Sequence, residues 1–213
     1  YPKELDMLAS LLDGMNEGSP NGAGATSATG GSSNSNTSEI KNGANLSTVM
    51  GIIEMCWGDV GLLLAMPRQG LGNAAIAAVA NEEQLERFKG TWAAMAITEP
   101  NCGSDSAAIR TTATKDGDDY ILNGEKIYVT SGARADSVVV WATLDKNIGR
   151  AAIKSFVVKH GTPGMEIARL EKKLGIKASD TAAITFTNCR VPAANLLGTP
   201  EIDAHKGFAG VMQ

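Results

Sequence analysis

Cysteine and histidine are scarce in this chain, and neither falls into a ligand pattern. The three cysteines, Cys56, Cys102 and Cys189, are odd in number and form no CxxC pair. That argues against a disulfide framework or a zinc site and fits reduced thiols. The two histidines, His160 and His205, stand far apart outside any HExxH arrangement, so no metal is expected. Long apolar runs are missing too. The most apolar stretch, 49–80, is broken by Glu54, Asp59 and Arg68 and cannot supply the roughly 18 uncharged residues of a membrane span. Charge of one sign is not in excess. The formal net charge is -4 and the basic residues are scattered, so nothing calls for a nucleic-acid partner. The opening Tyr1-Pro2-Lys3-Glu4 has no basic region leading into an apolar core. The expectation is therefore no secretory signal and a cytoplasmic protein.

What is present changes character along the chain. Leu5, Leu8, Leu11, Leu12 and Met15 recur at helical spacing and predict a helix over 3–16. Residues 18–43 are mostly Gly, Ser, Asn, Thr and Ala, with Ile40 as the one branched aliphatic residue. Such a segment cannot bury enough apolar surface to offset its ordering entropy and reads as a flexible insertion. Ser47 is placed to cap a helix through Met50, Ile53, Glu54 and Cys56. Residues 71–80 are Ala-rich and suit a buried helix. Asn81 followed by Glu82, Glu83 and Gln84, with Gly90 beyond, carries start and stop signals for another.

After Thr91, Ile, Val and Thr take over, with turn signals at short intervals. Asp116-Gly117-Asp118 separates a strand at 111–114 from one at 120–122, and Asn123-Gly124 predicts a second turn into 125–130. Further strands are expected at 137–143, 152–158 and 182–187. The fold class expected is α+β, a helical N-terminal domain followed by an antiparallel β-barrel or sandwich. The expected boundaries are 1–92 for the helical domain, 93–203 for the β domain and 204–213 for the start of a further helical part.

Two segments carry the functional signal. The first is Ala96-Ile97-Thr98-Glu99-Pro100-Asn101-Cys102-Gly103-Ser104-Asp105. The second is Asn123-Gly124-Glu125-Lys126-Ile127-Tyr128-Val129-Thr130-Ser131-Gly132. A Thr-Glu-Pro-x-x-Gly-Ser-Asp loop followed at this spacing by Asn-Gly-x-Lys-x-aromatic-x-Thr-x-Gly resembles the middle domain of the acyl-CoA dehydrogenases. The resemblance covers about residues 48–213. It implies FAD as cofactor and α,β-dehydrogenation of an acyl-CoA thioester to the trans-2-enoyl-CoA, within fatty-acid metabolism. It implies that Met95, Ile97, Thr98, Gly103, Ser104, Tyr128, Val129 and Thr130 hold the flavin, and that Ser104 also meets the thioester substrate. Glu99 stands as a loop anchor. An electron-transfer flavoprotein is the implied electron acceptor, and a homodimer or homotetramer the implied assembly.

The resemblance also has departures. Asn101 stands where the family often has Gly, an exchange the turn tolerates if Asn adopts left-handed dihedrals. Cys102 takes the place of a small residue and reads as a filler. Tyr128 falls where Trp is usual and keeps an aromatic face. The low-complexity segment replaces packed helices. The family's catalytic carboxylate belongs to a C-terminal bundle, and none is assigned here; the segment 174–181 resembles a further family segment to which no catalytic role is carried. Two other readings stay open, a flavin monooxygenase or acyl-carrier-protein oxidase on the same fold, and a non-catalytic partner subunit or fragment. Taken singly, Thr98 would be an ordinary strand threonine and Tyr128 a tyrosine facing a sheet core.

Overall fold

The computed structural model describes residues 43–66 and 71–202. The helix expected over 3–16, nearly all of the insertion and the segment 204–213 lie outside the described residues. Among the described residues four helices come first: α1 (Gly43–Cys56), α2 (Val60–Ala65), α3 (Leu71–Val79) and α4 (Glu82–Arg87). α1 begins before Ser47, so that serine is not its cap; Ala44 and Leu46 are good helix formers and extend the helix backward. Asp59 caps α2, its carboxylate accepting from the backbone N–H groups of Gly61 and Leu62. None of the described helices is long and apolar enough to cross a membrane.

The last two helices fasten the helical part to the sheet. Gly72 of α3 lies flush on the next segment, since an added Cβ would meet the Ala94 carbonyl at 2.3 Å. Beside it, Asn73 donates to the Thr91 carbonyl at 2.6 Å and accepts from the Ala93 N–H at 2.9 Å. α4 opens with the capping box read in the sequence. The Asn81 side chain accepts from the Gln84 N–H, and Gln84 accepts from the Asn81 N–H. Gln84 is buried and also donates to the carbonyls of Ala194 and Leu196.

Seven strands follow: β1 (Ala93–Ala96), β2 (Thr112–Asp116), β3 (Asp119–Thr130), β4 (Ser137–Thr143), β5 (Ile153–Lys159), β6 (Met165–Leu170) and β7 (Thr181–Pro192). They form one sheet in the order β1-β4-β2-β3-β7-β6, with β5 paired to β4. Most pairs are antiparallel, as expected. β1–β4 and the short β2–β4 contact are parallel, because the whole β2–β3 excursion separates β1 from β4. β4 is buried along its full length. Val138, Val140 and Ala142 join the inner core with Leu122, Phe156 and Ile184. Val139 and Trp141 face an outer layer with Ala75, Ile76 and Phe88 from the helical part. A strand covered on both faces needs a continuous apolar run, which Ser137–Thr143 supplies.

The hairpin at Asp116–Asp119 is as read. Asn123-Gly124 is not a turn: both residues lie inside the 12-residue β3. They sit at a register shift against β7, where Leu122 pairs with Cys189 and Gly124 with Phe186. A bulge bends and twists a strand without reversing it. Here the Asn123 side chain accepts from the Asn188 N–H, and Asn188 has φ 48. Gly124 is required for another reason. Its φ is +156, and an added Cβ would lie 2.3 Å from Thr111 Oγ1. Beyond this bend β3 leaves β2 and runs beside β1, where the Ile127 N–H donates to the Thr98 carbonyl at 2.9 Å. The sheet thereby curls back on itself.

Gly124→Ala is expected to destabilise the full chain by about 1–3 kcal/mol, since the new methyl displaces Thr111. Urea unfolding of the two proteins measures this. An unchanged midpoint would mean that the approach of Thr111 to Gly124 is not a constraint.

Candidate functional site

The two motif segments meet where β3 crosses the end of β1. At the centre is Glu99, 6% exposed, facing Lys126, 0% exposed. Lys126 Nζ donates to Glu99 Oε1 at 2.8 Å and to the Ile97 carbonyl at 2.9 Å. The carboxylate also accepts from the N–H of Arg110 at 2.7 Å, the N–H of Thr111 at 2.9 Å and Thr111 Oγ1 at 2.6 Å. Glu99 is thus the anchor its motif position implied, and its lone pairs are spent on the protein.

Burial pushes the Glu99 carboxyl up, but the charge of Lys126 and the hydrogen bonds from Lys126, Thr111 and Arg110 outweigh it, so its pKa is lowered. For Lys126, burial is the larger effect and draws the ammonium below its ordinary value, Glu99 opposing in part. The two directions conflict about the charge of the pair. We assign it as ionised at neutral pH, because neutral donors besides Lys126 hold the carboxylate charged and two oxygens face the ammonium.

Cys102 closes the tight loop. Its N–H donates to the Glu99 carbonyl, and the Glu99 N–H donates to the Cys102 carbonyl. The thiol lies 3.8 Å from Glu99 Oε2 and is raised in pKa by burial and by the Glu99 charge. A buried neutral thiol matches the filler expected. Asn101 is exposed and is not among the residues with positive φ, so the turn does not draw on the left-handed tolerance of Asn.

The second register shift of β3 builds the exposed part of the site. Lys126 pairs with Ile184 and Val129 with Ala182, and the extra residue is taken up around Tyr128, at φ 58. This bulge lets Lys126 and Ile127 both be buried, while Tyr128, 62% exposed, and Thr130 emerge together. Tyr128 therefore does not face a sheet core. Val129 points into the inner core at 1% exposure, so only its main chain is open to a ligand. Met95 on neighbouring β1 and Ile97 just past its end are half-buried against the outer layer. Thr98 is half-buried, and Gly103 and Ser104 are exposed. A Cβ on Gly103 would touch only Thr98 Cγ2, at 3.9 Å, leaving open space beside the threonine. Among the described residues, the side-chain hydroxyls of Thr98, Ser104, Tyr128 and Thr130 have no hydrogen-bond partner.

The structure thus brings Ile97, Thr98, Tyr128 and Thr130 to one crossing, with Met95 on the adjoining β1 and Gly103 beside Thr98. Lys126 has no role that the sequence alone reveals. A lysine two residues from the exposed Tyr128 reads as another solvent-facing charge; only Glu99, 27 positions away, explains its burial.

The two motif segments thus cross on a curled mixed sheet. Comparison with known proteins gives its family. Residues 94–189 match the family model described as acyl-CoA dehydrogenase, middle domain. The acyl-CoA dehydrogenase of Bacillus subtilis (strain 168) is 39% identical over 158 residues, 71% of this chain and 41% of that protein. The solved structure of butyryl-CoA dehydrogenase from Megasphaera elsdenii superposes with a TM-score of 0.69 at 35% identity, covering 78% of this chain and 45% of that one. The prolyl acyl carrier protein oxidase AnaB superposes with the same TM-score of 0.69 at 34% identity, again covering 78% and 45%. The chain spans less than half the length of each of these proteins. Its sheet is the middle domain of the acyl-CoA dehydrogenase family.

Removing one partner of the central pair should be costly. Glu99→Gln and Lys126→Met are each expected to destabilise by about 3–5 kcal/mol, as a buried charge is left uncompensated, and the double substitution by less than the sum. A denaturant double-mutant cycle decides; additive losses would mean that the pair is not coupled. The pH dependence has a defined sign. A carboxyl lowered on folding contributes stability that is present above its ordinary value of 4.5. That contribution is lost as pH falls through the lowered folded value. Acid titration of stability should be steeper below this point for the unsubstituted protein than for Glu99→Gln.

Proposed function

We propose that this chain supplies the flavin-positioning part of an FAD-dependent acyl-CoA dehydrogenase, which converts an acyl-CoA thioester to the trans-2-enoyl-CoA. The observation that carries this reading is the crossing itself. A buried ion pair and the Ile127–Thr98 main-chain bond bring the two motifs together, and an exposed aromatic ring and unspent hydroxyls surround the junction. These residues fit a flat heteroaromatic cofactor. Tyr128 offers a ring face, Thr130 and Thr98 offer hydroxyls to polar ring edges, and Met95 and Ile97 offer partly covered apolar flanks. Gly103 leaves main chain accessible, and exposed Ser104 offers a hydroxyl to a phosphate or the thioester. FAD, when bound, supplies the acceptor for the hydride leaving the β carbon.

The residues of this chain act by alignment and by donating hydrogen bonds where charge gathers on the reduced ring. None is assigned as the base that removes the α proton; Glu99 is committed to Lys126 and Thr111. We assign that base to a part of the protein beyond the matched region, alongside the remaining FAD contacts. In this reading residues 1–92 form a helical domain, 93–203 the flavin domain and 204–213 the entry to a helical bundle. The protein is a cytoplasmic homodimer or homotetramer that hands electrons to an electron-transfer flavoprotein. A second reading, oxidation of a thioester on an acyl carrier protein, is favoured by the equal fit to the carrier-protein oxidase.

Full-length protein loaded with FAD and mixed anaerobically with a panel of acyl-CoA thioesters should lose its oxidised flavin absorbance. Bleaching only by acyl-carrier-protein thioesters would select the second reading, and bleaching by neither would overturn both. Thr130→Val should weaken FAD binding by about 1 kcal/mol or shift its spectrum and potential, as one hydrogen bond is lost. Identical affinity, spectrum and potential would remove Thr130 from the site.

A further inference from the structure

The loop 171–180 carries a motif segment that the proposed function leaves without a role. Its last residue, Asp180, grips the turn that follows Thr130 at three points. The Asp180 backbone carbonyl accepts from the Ser131 N–H at 3.0 Å. Its Oδ2 accepts from the Ala133 N–H at 3.0 Å, and its Oδ1 from Arg134 Nε at 2.6 Å. The turn needs such a hold. Ser131 has φ 59, a left-handed backbone that disfavours a residue with a side chain. Gly132 lies so close to the strands that a Cβ would meet Val129 Cγ1 at 2.9 Å and Ala182 Cβ at 3.0 Å. Arg134, held by Asp180, also stands 5.7 Å over the ring of Trp92 at the entry to β1. One carboxylate therefore links the end of β3, the start of β7 and the approach to β1.

The segment 128–130, which carries exposed Tyr128 and Thr130, is consequently clamped at both ends. Lys126 and Glu99 hold it on one side, and Asp180 holds it on the other, immediately after Thr130. Thr130 itself pairs with Thr181, the neighbour of Asp180.

We propose that Asp180 is a positioning residue for the flavin, acting through the 131–135 turn to fix where Thr130 presents its hydroxyl. This rests on the reading of the site as a flavin edge. A loosened turn lets Thr130 sample several positions, and a hydrogen bond that must first be organised binds its partner more weakly.

The test uses full-length protein with Asp180→Ala, Asp180→Asn and Arg134→Gln. Asn keeps an acceptor for the Ala133 N–H, and Arg134→Gln removes only the partly exposed guanidinium. Two measurements are made. Without flavin, amide exchange at Ser131 and Ala133 reports the turn. With flavin, an FAD titration, the visible spectrum and the reduction potential report the site. Asp180→Ala should speed exchange at both amides, weaken FAD about tenfold and shift the potential. Asp180→Asn should recover most of both effects, and Arg134→Gln should show a smaller change in the same direction. If Asp180→Ala does not fold, the order unsubstituted, Asn variant, Arg134→Gln in potential and affinity carries the test, and no difference among them overturns the proposal. Faster exchange with unchanged affinity, spectrum and potential would also overturn it, leaving Asp180 a structural tie and the flavin reading intact. Failure of the unsubstituted protein to bind FAD would overturn both.

Discussion

The described β domain depends on one buried contact, the pair of Lys126 and Glu99. Two opposite charges out of water cost several kcal/mol each in desolvation, and their attraction repays this only when every remaining lone pair and proton is satisfied. Here the partners of the pair come from three places in the chain. Arg110 and Thr111 close on the carboxylate from the strand entry before β2, Ile97 receives the ammonium from the end of β1, and Cys102 folds the loop back. The pair is therefore less a source of stability than a condition on geometry. A sheet that curled differently would leave a charge unpaired in the interior.

That condition explains the shape of β3. To deliver Lys126 to Glu99, the strand must leave β2, which it pairs with early, and reach β1. The bulge opposite Asn188 bends it, and the absence of a Cβ at Gly124 makes room for Thr111, which Glu99 also needs. A second bulge then resets the alternation, so that buried Lys126 and Ile127 are followed by exposed Tyr128 and Thr130. Bulges often re-aim side chains beside functional sites. The exposed Tyr128 ring and the unspent Thr130 hydroxyl are products of the second of these irregularities.

Much of this architecture is legible locally. β4 ends where its apolar run ends, because burial on both faces requires a continuous run. The capping box at Asn81 and Gln84 forms as read, because its partners are three residues apart. The turn at Asp116–Asp119 holds because Gly117 reaches φ +60 at little cost. Asn123-Gly124 misleads for a related reason. The dipeptide favours a turn, but it equally favours a bulge, and the pairing with β7, where Asn188 lies 65 positions from Asn123, selects the bulge. β6 gives no local signal, because its residues are largely exposed and carry no strict alternation.

By itself, the sequence determined the family resemblance, the division into helices and then strands, the anchoring place of Glu99, and the two segments that meet. Those are properties of residue order and of interactions spanning a few positions. Only the tertiary structure decided that Lys126 is buried, that Tyr128 and Thr130 face outward while Val129 faces inward, that β1 and β4 run parallel, and that Asp180 holds the turn after Thr130. Each of these turns on partners far apart in the chain, 27 positions for Lys126 and Glu99 and 47 for Ala133 and Asp180. Their encounter depends on how the whole sheet curls; no local pattern encodes that distance.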